Sequence, residues 1–407
     1  MTDLPRIDLS RLMARIDALG RVGALPGGGV CRLALTDEER EGRDLVRGLM
    51  EQLELTVTVD PVGNLVGTWP GTEPGPPVMM GSHIDTVRTG GLYDGALGVL
   101  AGLEVIEALQ RAGARPRRSL AVAAFTNEEG ARFAPDMMGS LVFVGDLSVE
   151  HARATVGIDG TTVGAELDRI GYAGTDAPTP VHAFVELHIE QGPVLEQEGI
   201  TIGVVDSVQG IRWTEVTVTG VSNHAGTTPM RLRHDAGYVA GSMVHFVRQL
   251  AREIGGDQVA TVGSLRLAPD LVNVIPNEAV FTLDLRNTDE IALDRAEARA
   301  LAHLQALAVD EGVQVEHRAL ARFEPVRFDA GLVDQVEAAA RAEGLSTRRL
   351  PSGAGHDAQI LARICPAAMI FVPSVGGISH NVNEHTEPEH LEAGANVLLR
   401  VVSALAQ

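Results

Sequence analysis

The stretch Pro77-Val78-Met79-Met80-Gly81-Ser82-His83-Ile84-Asp85-Thr86-Val87, followed by Tyr93-Asp94-Gly95, decides the fold. Its apolar run reads as a buried strand. His83 and Asp85 therefore fall where a strand gives way to a loop, a position that carries ligands on open α/β sheets. In an extended chain the two alternate around Ile84 and share one face. A metal-binding imidazole commonly has a carboxylate or carbonyl behind it. His83 is thus a candidate ligand, with Asp85 beside it to orient it or a partner. The gap Arg88-Thr89-Gly90-Gly91-Leu92 lets the chain fold back and bring Asp94 to the same point.

Working outward, apolar residues at helical spacing predict a first helix over 7–20. A second helix is capped by Thr36, with acids in its first turn, and runs to about Leu53. Strands follow at 55–59 and 64–69, and a helix over 95–112. Leu120–Phe125 is a continuous apolar run of the kind buried on both faces of a sheet. It ends in Thr126-Asn127-Glu128-Glu129-Gly130. Residues 131–180 read as loops with short helices in no clear order. The stretch from Ala183 to Gly192 is a strand with Glu186, His188 and Glu190 in phase on one face, which suggests a lined site. A short helix is read from Pro193 to Glu198. Strand, helix and strand with acids at the carboxyl ends make the doubly wound pattern.

From Gly210 the character changes. Trp213–Thr219 alternates as a half-exposed strand does. A helix over 235–254, strands near 259–267 and 278–286, a helix over 289–311 and a strand over 313–320 complete a βαββαβ order. The α/β pattern then resumes with a helix at 330–343, Gly353-Ala354-Gly355-His356-Asp357-Ala358 opening another, the strand Ala368–Val372 and a closing helix near Pro388. The expected fold is α/β: a mixed, largely parallel sheet with helices on both faces, formed by residues 1–209 and 323–407. Residues 210–322 are expected as an inserted α+β, ferredoxin-like domain.

Composition narrows the function. At 407 residues the chain can hold two full cores. A formal net charge of -21 argues against nucleic acid or an anionic membrane as partner, since both require a basic face. Cys31 and Cys365 are the only cysteines, which excludes a disulfide framework and a thiolate zinc cluster and fits a cytoplasmic setting. The start of the chain (Met1-Thr2-Asp3-Leu4-Pro5-Arg6) carries no cleavable apolar leader, and no window resembles a membrane span.

His83, Asp94, Glu129, His188 and His385 remain as candidate metal ligands at strand ends or in loops of the α/β domain. Imidazoles with carboxylates suit zinc, manganese, nickel or cobalt. One open zinc site uses three protein ligands, so this set suits two metals about 3.5–4 Å apart that share a carboxylate. Either Asp94 or Glu129 can be that bridge. Glu128, next to a ligand, is then the candidate general base.

These motifs, with His188-Ile189-Glu190-Gln191-Gly192-Pro193, Asn223-His224-Ala225-Gly226-Thr227-Thr228-Pro229-Met230 and Ser379-His380-Asn381, resemble a family over nearly the whole chain. It is the dinuclear-metal amidohydrolases of the aminoacylase/carboxypeptidase clan. The chain looks most like the branch of N-carbamoyl-L-amino acid hydrolases, β-ureidopropionases and allantoate amidohydrolases. The resemblance implies two divalent ions (Zn, or Mn, Ni or Co), with Asp94 as bridge. It implies His83 and His188 on one ion, and Glu129 and His385 on the other. Glu128 matches the general base and Asp85 the support of His83. The inserted domain resembles a lid that carries a homodimer contact. His224 matches a residue reaching the partner subunit's site, Asn273 and Arg286 match a grip on the substrate carboxylate, and Gln191 and Gly355 match substrate contacts. The implied activity is hydrolysis of the ureido C–N bond of an N-carbamoyl-L-amino acid, with allantoate or another ureido acid as alternative substrate. A peptidase or N-acyl amidase is the more distant alternative. His234, His356 and His380 are read as structural.

Overall fold

Val78–His83 is buried at every position and pairs in parallel with Leu120–Phe125 on one side and Ala183–Ile189 on the other. Small and branched apolar side chains without an exposed face can only occupy the centre of a sheet covered on both sides. The computed structural model describes residues 4–407; Met1, Thr2 and Asp3 of the terminus read above lie outside the described residues. From one edge the sheet runs Thr56–Val59, Leu65–Trp69, Leu120–Phe125, Val78–His83, Ala183–Ile189, Ala367–Val372, Ile202–Val208. The centre, from Leu120–Phe125 to Ala367–Val372, is parallel; the outer pairs are antiparallel. The expected mixed sheet is what forms, but only its centre is parallel: the pairs on either side of it are antiparallel, so the sheet as a whole is less parallel than expected.

The helix Ala96–Arg111 packs on the central strands, and Pro388–Leu405 packs beside it. Thr36 accepts the Glu39 N–H and caps Asp37–Gln52, as the sequence predicts. The region 131–180 holds three short helices, Met138–Val144, Val149–Ala154 and Val163–Ile170. They close over a small core of their own that includes Phe133, Val163, Leu167 and Tyr172. Two strands have no clear sequence signal. Ile202–Val208 is interrupted by Gly203 and carries Asp206, and Thr347–Ser352 contains two arginines and Pro351. The strand from Ala183 stops at Ile189, so Glu190, Gln191 and Gly192 belong to the turn after it.

The chain forms two compact units: residues through Asp206 with Phe328–Gln407, and Ser207–Arg327. In the second, all neighbouring strands are antiparallel, in the order Gln314–Phe323, Gly210–Thr219, Glu278–Asn287, Val259–Thr261, with Leu265–Ala268 also on Glu278–Asn287. The stretch read as one strand near 259–267 is thus two short ones. Along Glu278–Asn287, alternate residues Ala279, Phe281, Leu283 and Leu285 are buried, with Val216 and Val218 of Gly210–Thr219 and the helices Ala236–Ile254 and Glu290–Glu311 completing that core. Val280, Thr282, Asp284 and Arg286 take the other face.

Candidate metal centre

The carboxyl ends of the central parallel strands converge, and side chains on and after them form the site. His83 is the last residue of its strand, Glu128 and Glu129 follow Leu120–Phe125, and His188 lies near the end of Ala183–Ile189. Donor atoms of His83, Asp94 and His188 lie within 4.8 Å of one another, and so do those of Asp94, Glu129 and His380. Asp94 belongs to both groups. Its Oδ1 stands 3.2 Å from His188 Nε2 and 3.8 Å from His83 Nε2, and its Oδ2 stands 3.4 Å from His380 Nε2. Of the two carboxylates the sequence allows as a bridge, Asp94 has the placement for it.

The imidazoles are set by backbone. His83 Nδ1 faces the Asp85 carbonyl at 2.9 Å, and His188 Nδ1 faces the Ile189 carbonyl at 2.9 Å. A carbonyl only accepts, so each Nδ1 carries its hydrogen, and in the neutral ring Nε2 keeps its lone pair, which in His188 accepts the Gly95 N–H at 3.1 Å beside Asp94. That is the tautomer a metal ligand needs. His83 also requires a glycine at 95: a Cβ there would sit 2.4 Å from the ring, and Gly95 has φ +64°. The Asp85 carboxylate has a different task from the one expected. It lies 3.9 Å from His83 Nδ1, and instead accepts the N–H of Glu128 (3.2 Å) and of Glu129 (3.3 Å). It steadies His83 through its carbonyl and the two glutamates through its side chain.

His385, read as a ligand, is not at this point. Its Nε2 is 3.7 Å from Glu387, and its Nδ1 is 3.4 Å from the Tyr93 hydroxyl. His380, read as structural, stands there instead, with Nε2 3.2 Å from Glu129 Oε2. The loop turns between them, where the Glu384 N–H donates to the Asn381 carbonyl at 2.9 Å. Glu384 and Ser379 also join the site, with roles the sequence did not suggest. Glu384 Oε1 accepts the N–H of Tyr93 (3.0 Å) and Asp94 (3.2 Å), and Ser379 Oγ donates to Asp94 Oδ2 at 3.0 Å. Glu384 approaches so closely that a Cβ on Gly91 would lie 2.1 Å from its Oε1. An acid four residues after a loop histidine was the available signal.

Glu190, expected to line the site, caps the helix Val194–Glu198 by accepting from Val194 and Leu195 at 2.9 Å each. Glu186 is buried against Ser82 Oγ (2.6 Å) and the Ala358 N–H (2.8 Å). His356 pairs with Ser352 Oγ at 2.8 Å and stacks edge-on against His188. This second layer fixes His188 from behind. Gln191 donates from Nε2 to Asp94 Oδ2 at 2.9 Å, in a left-handed backbone (φ 56°) held by Ser374 Oγ. Gly355 lies in the turn before Asp357–Leu361, against Met137.

The electrostatics are those of a site that requires cations. Burial and then Asp357 push Glu128 well above the usual carboxylate range, and Glu129 is raised by burial and Asp94. Burial, then Glu39, lifts Asp85 to about 7, and burial, then Asp94, lifts Glu384 to about 7. His380 is raised to about 9 by Glu129. Burial lowers His188, but Asp94 outweighs it and raises the ring to about 9. So many buried acids with imidazoles between them match the donor set of borderline divalent ions. Glu128 Oε2, 3.4 Å from His83 Nε2, is adjacent to that set.

In the second unit, His224 and Asn273 lie on touching segments: the Ala225 N–H donates to the Asn273 carbonyl at 2.9 Å, and His224 bridges Val274. His224 is exposed and its Nδ1 accepts the Gly226 N–H at 3.0 Å. Arg286 lies on the open face of the sheet, paired with Asp284.

Residues 79–404 match the model of peptidase family M20/M25/M40. The chain belongs to this family. Among relatives of this M20 protein, an N-carbamoyl-L-amino-acid amidohydrolase of Rhizobium meliloti is 41% identical, over 99% of this chain and 97% of the relative. An allantoate amidohydrolase of Escherichia coli (strain K12) is 38% identical, over 95% of this chain and 96% of the relative. The crystal structure of an amidase of the hydantoinase/carbamoylase family from Burkholderia multivorans superposes with a TM-score of 0.96 at 44% identity, covering 98% of each chain. The chain is thus an M20 hydrolase of the hydantoinase/carbamoylase group, and the clustered ligands fit the divalent metal ions on which the family depends.

Proposed function

We propose that this M20 enzyme hydrolyses the ureido C–N bond of an N-carbamoyl-L-amino acid, releasing the amino acid, ammonia and carbon dioxide. The observation that carries this reading is the sharing of Asp94 by two ligand groups with Glu128 beside them. The names of full-length relatives point to the ureido substrate. His83, Asp94 and His188 would hold one divalent ion, and Asp94, Glu129 and His380 a second; Zn, Mn, Ni and Co all suit these donors. Such ions supply an acidified water and polarise the carbonyl.

Glu128 takes the proton of the attacking water and passes it to the leaving nitrogen. Asp85 holds Glu128 and Glu129 in register through their N–H groups. Gln191 fixes Asp94, and the backbone at Gly355 borders the substrate. His224 donates to the developing oxyanion across a homodimer, while Arg286 and Asn273 take the carboxylate. Dimerisation through the inserted lid is supported by its exposed Met230, Leu232, Leu271 and Val272. A cytoplasmic setting is supported by the two free cysteines; no helix among the described residues is long and apolar enough to cross a membrane.

A second substrate, allantoate, is favoured by the Escherichia coli relative. The metal-loaded enzyme assayed with N-carbamoyl-α-amino acids, N-carbamoyl-β-alanine and allantoate separates the readings. The highest kcat/KM is expected for an N-carbamoyl-L-α-amino acid. Preference for allantoate would replace this substrate with the second, and turnover of N-acyl amino acids alone would remove both.

A further inference from the structure

Arg286 is already engaged by a carboxylate from its own strand. Its Nε is 3.0 Å from Asp284 Oδ1 and its Nη2 is 2.9 Å from Asp284 Oδ2, the two-point geometry in which guanidinium receives any carboxylate. The pair is built in: residues two apart on a strand share a face, and Asp284 and Arg286 share the one turned away from the helices. Trp213, directly opposite Asp284 in the sheet, places its ring 5.8 Å from the guanidinium carbon. Side chains of both charged residues remain partly exposed, at 23% for Arg286 and 28% for Asp284.

We propose that Asp284 sets the affinity of this enzyme for its substrate's carboxylate by occupying the Nε–Nη2 edge of Arg286. This rests on the reading of Arg286 as the residue that takes that carboxylate. A free arginine would meet an anionic substrate with its full charge and its best two-point edge. Here that edge is filled and the charge is neutralised, so an incoming carboxylate must displace Asp284 or share the guanidinium with a second anion. Either way binding is weaker than an unpaired arginine gives. Asp284 acts through Arg286 and is a positioning residue; it takes no part in bond breaking.

The test is steady-state kinetics of the metal-loaded enzyme carrying Asp284→Asn, which keeps the shape and one acceptor and removes the charge. KM for an N-carbamoyl-L-amino acid is expected to fall about two- to five-fold, the range of a partly exposed ion pair, with kcat moving less. KM should also rise more steeply with salt than in the wild type, because one negative charge beside the fork has been removed. The corresponding N-carbamoyl amino acid amide, which has no carboxylate, should show the same KM in both enzymes. Arg286→Ala is the reference. If it raises KM while Asp284→Asn leaves KM unchanged or higher, the role of Asp284 is overturned and that of Arg286 stands. If Arg286→Ala keeps the wild-type KM, both fall.

Discussion

Nε2 of His380 stands 3.2 Å from Oε2 of Glu129, and this approach brings an imidazole to that carboxylate. His385, five positions later, faces Glu387 and the Tyr93 hydroxyl instead. Replacing His380 by Ala is expected to cost metal affinity and activity by more than the about 10- to 100-fold typical of removing a supporting group behind a ligand. His385→Ala should keep the metal content of the wild type. Metal analysis of the two purified variants after dialysis checks this, and equal loss in both would reverse the assignment.

Glu128 bears on chemistry more than on metal binding. It is buried, its N–H is held by Asp85, and its carboxylate lies 3.4 Å from His83. Glu128→Gln removes the proton acceptor at constant shape, so kcat should fall by at least about 10²–10⁴-fold while metal content stays near that of the wild type. A variant with near-normal turnover would exclude Glu128 as the base.

Asp85→Asn separates two modes of support. The His83 ring is set by the Asp85 carbonyl, which the substitution keeps; the Glu128 and Glu129 N–H groups are set by the carboxylate, which it alters. An amide offers one oxygen where two N–H groups are bound, and its NH₂ confronts one of them. A loss of about 10- to 100-fold in kcat is expected, with kcat affected more than KM. Unchanged kinetics would show that the main-chain path of the Glu128–Glu129 turn holds without it.

How much of this was legible in the sequence depended on the physical signal. Val78–His83 and Leu120–Phe125 were readable because strands buried on both faces are unbroken apolar runs. Thr347–Ser352 was not, because an outer strand with Arg348, Arg349 and Pro351 carries no such run. In the site, residues that sit on strands or directly after them, His83, Glu128, Glu129 and His188, were placed by periodicity. The loop histidines were not, since the choice between His380 and His385 depends on a turn at Asn381–Glu384 that has no period. Likewise Glu190 shares strand phase with His188 in sequence, but the strand has ended before it.

The proton affinities fix the pH behaviour of the metal-stripped protein. Asp85 and Glu384 are lifted to about 7 and His188 and His380 to about 9, all above their unfolded values. For each such group the folded state binds more protons than the unfolded state between the two pKa values, so stability falls as pH rises through that window. For the acids the window runs from roughly 4 to 7, and for the imidazoles from roughly 6.5 to 9. Asp94, held below its usual range despite burial by His188 and His83, acts oppositely at lower pH, and so, up to roughly pH 6.5, does His356, which burial pushes well below the usual imidazole range. The Tm of the chelator-treated protein is therefore expected to decline from roughly pH 6.5 to pH 9. Added Zn²⁺ or Mn²⁺ should raise Tm more at the alkaline end, because ligands must lose protons to bind. A Tm that rises with pH over this range in the absence of metal would contradict this account of the site.

Gly95→Ala tests whether the fit of His83 against the following turn is what holds the first ligand group together. A Cβ at position 95 would lie 2.4 Å from the Cε1 and Nε2 atoms of His83, closer than any side chain tolerates, and φ at this residue is +64°. Relief by a shift of the Asp94–Gly95 backbone would move Asp94; relief by rotation of His83 would break its 2.9 Å contact to the Asp85 carbonyl. Either path separates His83 from Asp94, and a shift of Asp94 also moves it away from Glu129 and His380, whose group it shares. The variant should therefore bind metal more weakly than the wild type and lose most of its turnover, while circular dichroism reports a folded chain. A variant that binds metal and turns over as the wild type does would mean that the turn relaxes without disturbing His83, and the glycine would then be required for backbone conformation alone.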